Sequence, residues 1–166
     1  MALTLSQQAT LKTYIENNAT WMAYPHNSDG AFQIADDLQA DSNPIYIVWR
    51  SSVSEDEITG DTSSEATVWD WPEFIGLTVG EQGGYSRMFR NGSVDASKPN
   101  VRQGFADIFN GPSGADQRAH MLAIAKRTAN LLEELFSTGT GSTITPGTME
   151  VEGSISYQEI LIAMGW

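Results

Sequence analysis

Ser113 stands between glycines in Gly111-Pro112-Ser113-Gly114, His26 and His120 are the two histidines, and carboxylates cluster at Asp36-Asp37 and Glu55-Asp56-Glu57. These residue types build hydrolases, glycosidases and metal sites. Their spacing assembles none of these. The serine lacks the Gly-x-Ser-x-Gly elbow and is placed to cap a helix. The histidines are far apart, and neither has a second histidine or a carboxylate at metal-ligand spacing. The carboxylates fall at helix starts or on solvated faces. Gly139-Thr140-Gly141 follows a helix instead of opening one and lacks the Lys-Ser or Lys-Thr of a phosphate loop. Trp69-Asp70-Trp71 resembles a sugar platform, yet Phe74, Ile75 and Leu77 follow closely, so these aromatics read as core. The chain has no cysteine, which removes disulfides, thiolate zinc sites and a cysteine nucleophile. No catalytic, cofactor-binding or metal residue is assigned, no cofactor is expected, and the protein reads as a non-enzyme.

The elements that carry these residues are mostly helices. Thr4-x-x-Gln7 has the form of a capping box, and Leu11, Tyr14 and Ile15 recur at helical spacing before Asn17-Asn18. After Pro25, the stretch Asn27-Ser28-Asp29-Gly30 caps a second helix with Phe32, Ala35 and Leu38 on one face, ending near Ala40. Ile45-Tyr46-Ile47-Val48-Trp49 is a strand by local chemistry but has no obvious partner nearby, so a buried extended segment or a helical turn also fits. Ser54-x-x-Glu57 opens a short helix, and 60–67 reads as a surface loop. Three glycines from Gly80 to Tyr85 weaken a helix there. Pro99 starts another helix with Val101, Phe105, Ile108 and Phe109 on one face. Ser113-x-x-Asp116 opens the longest one, with Met121, Leu122, Ala125, Ala129, Leu132, Leu135 and Phe136 forming a central apolar stripe. Gly139 ends it, the Gly, Thr and Ser residues to Gly147 form a linker, and Met149 to Ile155 alternate like a short strand. Ser156-x-x-Glu159 caps a last helix of about two turns, too short to stand alone in water.

The expected fold is therefore mainly α: a helical bundle around one long central helix over residues 1–141, with an extended C-terminal arm over 142–166. The arm's apolar residues Ile155, Tyr157, Ile160, Leu161, Met164 and Trp166 are expected to dock on a partner, the alternative being that the last helix folds back onto its own bundle. No apolar run reaches 18 residues and no leader pattern opens the sequence, so neither membrane insertion nor export by a signal peptide is expected.

A chain of 166 residues with 40% hydrophobic and 18% charged residues is globular despite its net charge of -12. The charge is segmented. Residues 1–86 hold 13 acids against Lys12 and Arg50, residues 87–127 hold seven bases against three acids, and residues 128–166 hold five acids and no base. That balance excludes a nucleic-acid reader, which needs clustered cations, but suits a wall that DNA slides past. It also suits head-to-tail contact between copies, with Arg118, Lys126 and Arg127 as a basic stripe facing an acidic neighbour. Internal ion pairing is the alternative reading.

Asn27-Ser28-Asp29-Gly30-Ala31-Phe32, Val48-Trp49-Arg50-Ser51-Ser52-Val53, Ser97-Lys98-Pro99-Asn100-Val101-Arg102, Leu135-Phe136-Ser137-Thr138-Gly139-Thr140-Gly141 and Glu152-Gly153-Ser154-Ile155-Ser156-Tyr157 together resemble a family of tailed-bacteriophage proteins over nearly the whole chain. Gly83-Gly84 departs from that pattern. The resemblance implies a virion structural protein. By analogy with head-to-tail adaptors, it implies a ring subunit at the neck between portal and tail, assembled in the host cytoplasm. Its implied partners are the portal, tail or stopper proteins and copies of itself. A stopper, a tail terminator or another minor virion protein falls in the same class. A small helical enzyme and an assembly-only binding protein are the readings outside it.

Overall fold

The computed structural model describes residues 2–60, 68–112 and 114–166. The expected loop over 60–67 lies almost entirely outside them, as does Ser113. The chain is mainly helical with a few short strands, and it divides into two units. Unit 1 comprises Met1–Val48 and Thr128–Trp166, and unit 2 comprises Trp49–Arg127. Among the described residues the strands form three pairs: β1 (Ile47–Trp49) with β4 (Lys126–Thr128), β2 (Val53–Ser54) with β3 (Ser93–Val94), and β5 (Ser137–Thr138) with β6 (Thr148–Met149). The last two are antiparallel, with Val53 opposite Val94 and Ser137 opposite Met149.

Unit 1 is built from α1 (Leu5–Glu16), α2 (Ala19–Met22), α3 (Ser28–Asp37), α9 (Leu131–Leu135) and α10 (Tyr157–Met164). Side-chain caps start each one. Thr4 and Gln7 close a reciprocal box, Asn27 accepts from the amides of Asp29 and Gly30, and Asn130 and Glu133 close a second box. The core packs Leu11, Ile15, Ile34, Leu38, Leu132 and Ile160.

Unit 2 contains α4 (Glu55–Gly60), α5 (Trp71–Gly76), α6 (Val79–Met88), α7 (Pro99–Ile108) and α8 (Gly114–Ile124). Its core is aromatic. The ring centroid of Trp69 lies 5.5 Å from that of Tyr85 and 5.9 Å from that of Phe109, and Phe89 stacks on Phe105 at 6.2 Å. Despite Gly80, Gly83 and Gly84, α6 is continuous, started by a Thr78–Glu81 capping box.

Two expectations are corrected. The long central helix is broken: α8 stops at Ile124, 126–128 is extended, and Asn130 caps a separate α9. Backbone pairing with the 46–50 segment breaks it. The Arg50 amide donates to the Ala125 carbonyl at 2.9 Å and the Ala129 amide to the Tyr46 carbonyl at 2.8 Å. The strand that lacked a partner finds it inside the expected helix.

The second correction concerns the arm over 142–166, which is part of unit 1. Its supposed linker is fixed. The Ile47 amide donates to the Gly141 carbonyl at 2.7 Å, the Gly147 amide donates to the Ile47 carbonyl at 2.8 Å, and the Tyr46 hydroxyl reaches the Gly139 carbonyl at 3.0 Å. The Tyr46 ring lies against Gly141 and Gly147, where any Cβ would collide with it. Beyond this hairpin, α10 packs against α1 and α3. Each large apolar side chain it buries there is worth roughly 1.5 to 3 kcal/mol, which explains why a two-turn helix holds.

Candidate functional site

Four of the residues with catalytic potential are occupied locally. His26 stacks on Trp166, and buried His120 places Nε2 2.7 Å from the Ile58 carbonyl oxygen. Asp37 accepts from the Trp21 indole at 2.9 Å and from the Tyr24 hydroxyl at 3.0 Å, and that hydrogen bond raises the Tyr24 phenol above its ordinary value. Glu57 receives the Ser54 amide at 2.9 Å and the Arg50 guanidinium. Its carboxyl is held below the usual range, first by the backbone bond from Ser54 and then by Arg50. Among the described residues, no group of three or more His, Asp or Glu is disposed to hold a metal. No helix among them is long and apolar enough to cross a membrane.

The expected docking set is largely internal. Ile155, Ile160 and Met164 are buried in the core of unit 1, and Tyr157, Leu161 and Trp166 pack partly buried against it. Ser156 caps α10 through the Glu159 amide, and Gly165 closes it with a left-handed φ of 73°. The Leu3 amide donates to Glu159 at 3.2 Å, tying α10 to the segment before α1. A partner could reach Ile160 only by displacing this helix. The exposed apolar residue of α10 is Ile162, which sequence reading passed over because it faces away from the capped stripe.

The basic stripe also dissolves. Arg118 lies in α8, but Lys126 and Arg127 lie in β4, where neighbouring side chains point to opposite faces. Arg118 donates to the Phe109 carbonyl and, at 3.4 Å, to the Gly111 carbonyl, closing the end of α7. Lys126 sits 5.3 Å over the Trp49 ring, which Arg102 also covers at 4.4 Å. Partial burial pushes both cations below their ordinary values. All three residues of the expected stripe are only partly exposed.

One short stretch of unit 2 exposes four large apolar side chains, among them Trp71 and Ile75, which residue type had assigned to the core. Val68, Trp71, Ile75 and Val79 are 60%, 51%, 69% and 88% exposed. No residue of α5 is buried. The stretch is nevertheless held in shape. Asp70 caps α5 through the Glu73 amide at 3.2 Å, and the Gln82 side-chain amide donates to the carbonyls of Phe74, Ile75 and Leu77 at 3.3, 3.1 and 3.1 Å. Val68 precedes α5 and Val79 opens α6, so the four do not share one helix, and the sequence does not say which of them look inward.

Cation-covered Trp49 and the exposed apolar side chains of 68–79 are the surface features that stand out among the described residues of unit 2. No family model, curated protein or solved structure matches the chain.

Proposed function

We propose that this chain is a structural subunit of a tailed-phage head-to-tail connector: an adaptor between portal and tail, present as a ring of copies through which DNA passes without sequence-specific binding. The observation that carries the reading is the partition of charge. Unit 1 holds ten carboxylates and a single cation, Lys12, which is itself paired with Glu16 at 3.8 Å. Unit 2 holds the other eight Lys and Arg residues beside eleven carboxylates. A surface of uncompensated carboxylates repels a phosphate backbone and gives it no place to stall. Eight of the nine cations lie in unit 2, seven of them within 87–127 against three carboxylates, which favours ordered contact between unlike faces of neighbouring copies. The motif resemblance over nearly the whole chain supports the same class. With α10 folded into unit 1, attachment to portal or tail falls to exposed side chains such as Phe32 and Ile162.

The test is the composition of purified particles. Multiple copies per virion, with DNA-filled heads that lack tails when the gene is disrupted, are expected. Absence from washed particles would remove the structural reading in favour of an assembly-only protein.

A further inference from the structure

We infer that the exposed apolar edge of 68–79 docks a second copy of this chain, head to tail, and that the second copy meets it with Arg87 and Arg90. The four side chains together expose on the order of 500 Å². That is a large share of the roughly 800 Å² that each partner contributes to a stable interface. The edge is also held in one shape by the Asp70 cap and by Gln82, so little ordering is required on binding.

Charge chooses the occupant and its orientation. Asp70, Glu73 and Glu81 lie within and beside the edge, and no Lys or Arg occurs from Val68 to Ser86. Two copies joined through the same edge would set these carboxylates against one another. At the other end of α6, Arg87 occupies the last turn and Arg90 follows it; both are exposed, and neither enters an ion pair among the described residues. Val68 precedes α5, Trp71 and Ile75 lie in it, and Val79 opens α6, whose ten residues span about 15 Å, so the acid-edged apolar stretch and the basic end of α6 sit apart. Contact between unlike ends leaves each copy with one free end of either kind, which is the condition for a ring or a filament. The inference deepens the ring reading, but the contact itself rests on the surface of unit 2 alone.

The experiment is sedimentation of the full chain over a micromolar-to-millimolar series. Mass is expected to rise with concentration, and added salt should weaken association by about tenfold or more. Ile75→Asp with Val79→Asp should abolish association, as should Arg87→Glu with Arg90→Glu. A mixture of the two variants should form a one-to-one dimer, because each retains one intact end. All four positions are exposed, and the salt series needs no variant. A wild-type monomer throughout, association that salt leaves unchanged or strengthens, or a mixture that stays monomeric would overturn the inference. Head-to-tail association by a chain absent from particles would remove the neck reading and leave the contact standing.

Discussion

Trp166 lies flat on His26, ring centroids 4.4 Å apart and planes 9° from parallel. His26 belongs to the turn between α2 and α3, so the stack pins the C-terminal residue to the first third of the sequence. The Trp166 amide donates to the Leu161 carbonyl at 3.2 Å beside the Gly165 amide at 2.8 Å. The left-handed Gly165 turns the chain so that the indole returns over unit 1. This contact covers one face of the aromatic end of α10, which an arm held ready for a partner would leave open.

Ile160→Ala should therefore destabilise unit 1. Ile160 is fully buried, and truncating such a side chain costs roughly 2 to 5 kcal/mol through lost transfer energy and the cavity left behind. Deleting 156–166 should go further and expose Trp21 in the unfolded unit 1. Denaturant titration followed by tryptophan fluorescence checks both. An unchanged midpoint for either variant would restore the arm.

Gly83→Ala should act in the opposite direction. Gly83 lies in the interior of α6, and a Cβ added there meets nothing within 4 Å. Removing the backbone freedom of a helical glycine gains about 0.5 to 1 kcal/mol. A rise in thermal midpoint is expected. Gly30→Ala, also in a helix, should fall sharply, because its Cβ would land on the Pro25 carbonyl.

Local chemistry was legible and long-range pairing was not. The capping residues Thr4, Asn27, Ser54 and Ser156 announced their helices because a cap and its partner lie within three residues. The apolar period from Met121 to Phe136 continued unbroken through 126–128, yet what extends that segment is backbone pairing with the 46–50 segment, far away in sequence. Gly139 to Gly147 read as a tether because composition records only what the chain does when free. Here Gly141 and Gly147 are clearances for Tyr46. Amphipathic spacing showed that α10 needed cover, and it could not say whose. For the same reason Trp71 and Ile75 read as core, since residue type is identical for a side chain turned inward and one left open.

Gly141→Ala should test the hairpin that replaced the tether. Gly141 has a φ of +63°, and its added Cβ would enter the Tyr46 ring. Left-handed strain and overpacking together should cost about 2 to 4 kcal/mol. Tyr46→Ala in the same chain should relieve the clash and leave only the strain. Comparing the two single variants with the double by denaturant titration separates these contributions. Additive losses would show that the ring and the glycine do not touch.

Glu57 gives unit 2 an acid limb. Its folded carboxyl is held below the ordinary value of 4.5, chiefly by the Ser54 amide and then by Arg50. A depressed folded value means that the carboxylate contributes its full stabilisation above the unfolded value, and that this is lost as pH falls below 4.5 and through the folded value. With its side chain 43% exposed, the contribution is modest, screened by solvent and weakened by salt. Glu57→Gln should lower stability near neutral pH and flatten the decline between ordinary and folded values, so that the denaturant midpoints of the two proteins converge at low pH. Arg50→Met should reproduce part of this flattening, because Ser54 remains. A wild-type midpoint whose acid dependence is unaltered by Glu57→Gln would place the titrating group elsewhere, with Asp95 the next to examine: its carboxyl is also lowered, bonds from Ser97 and Lys98 outweighing its partial burial.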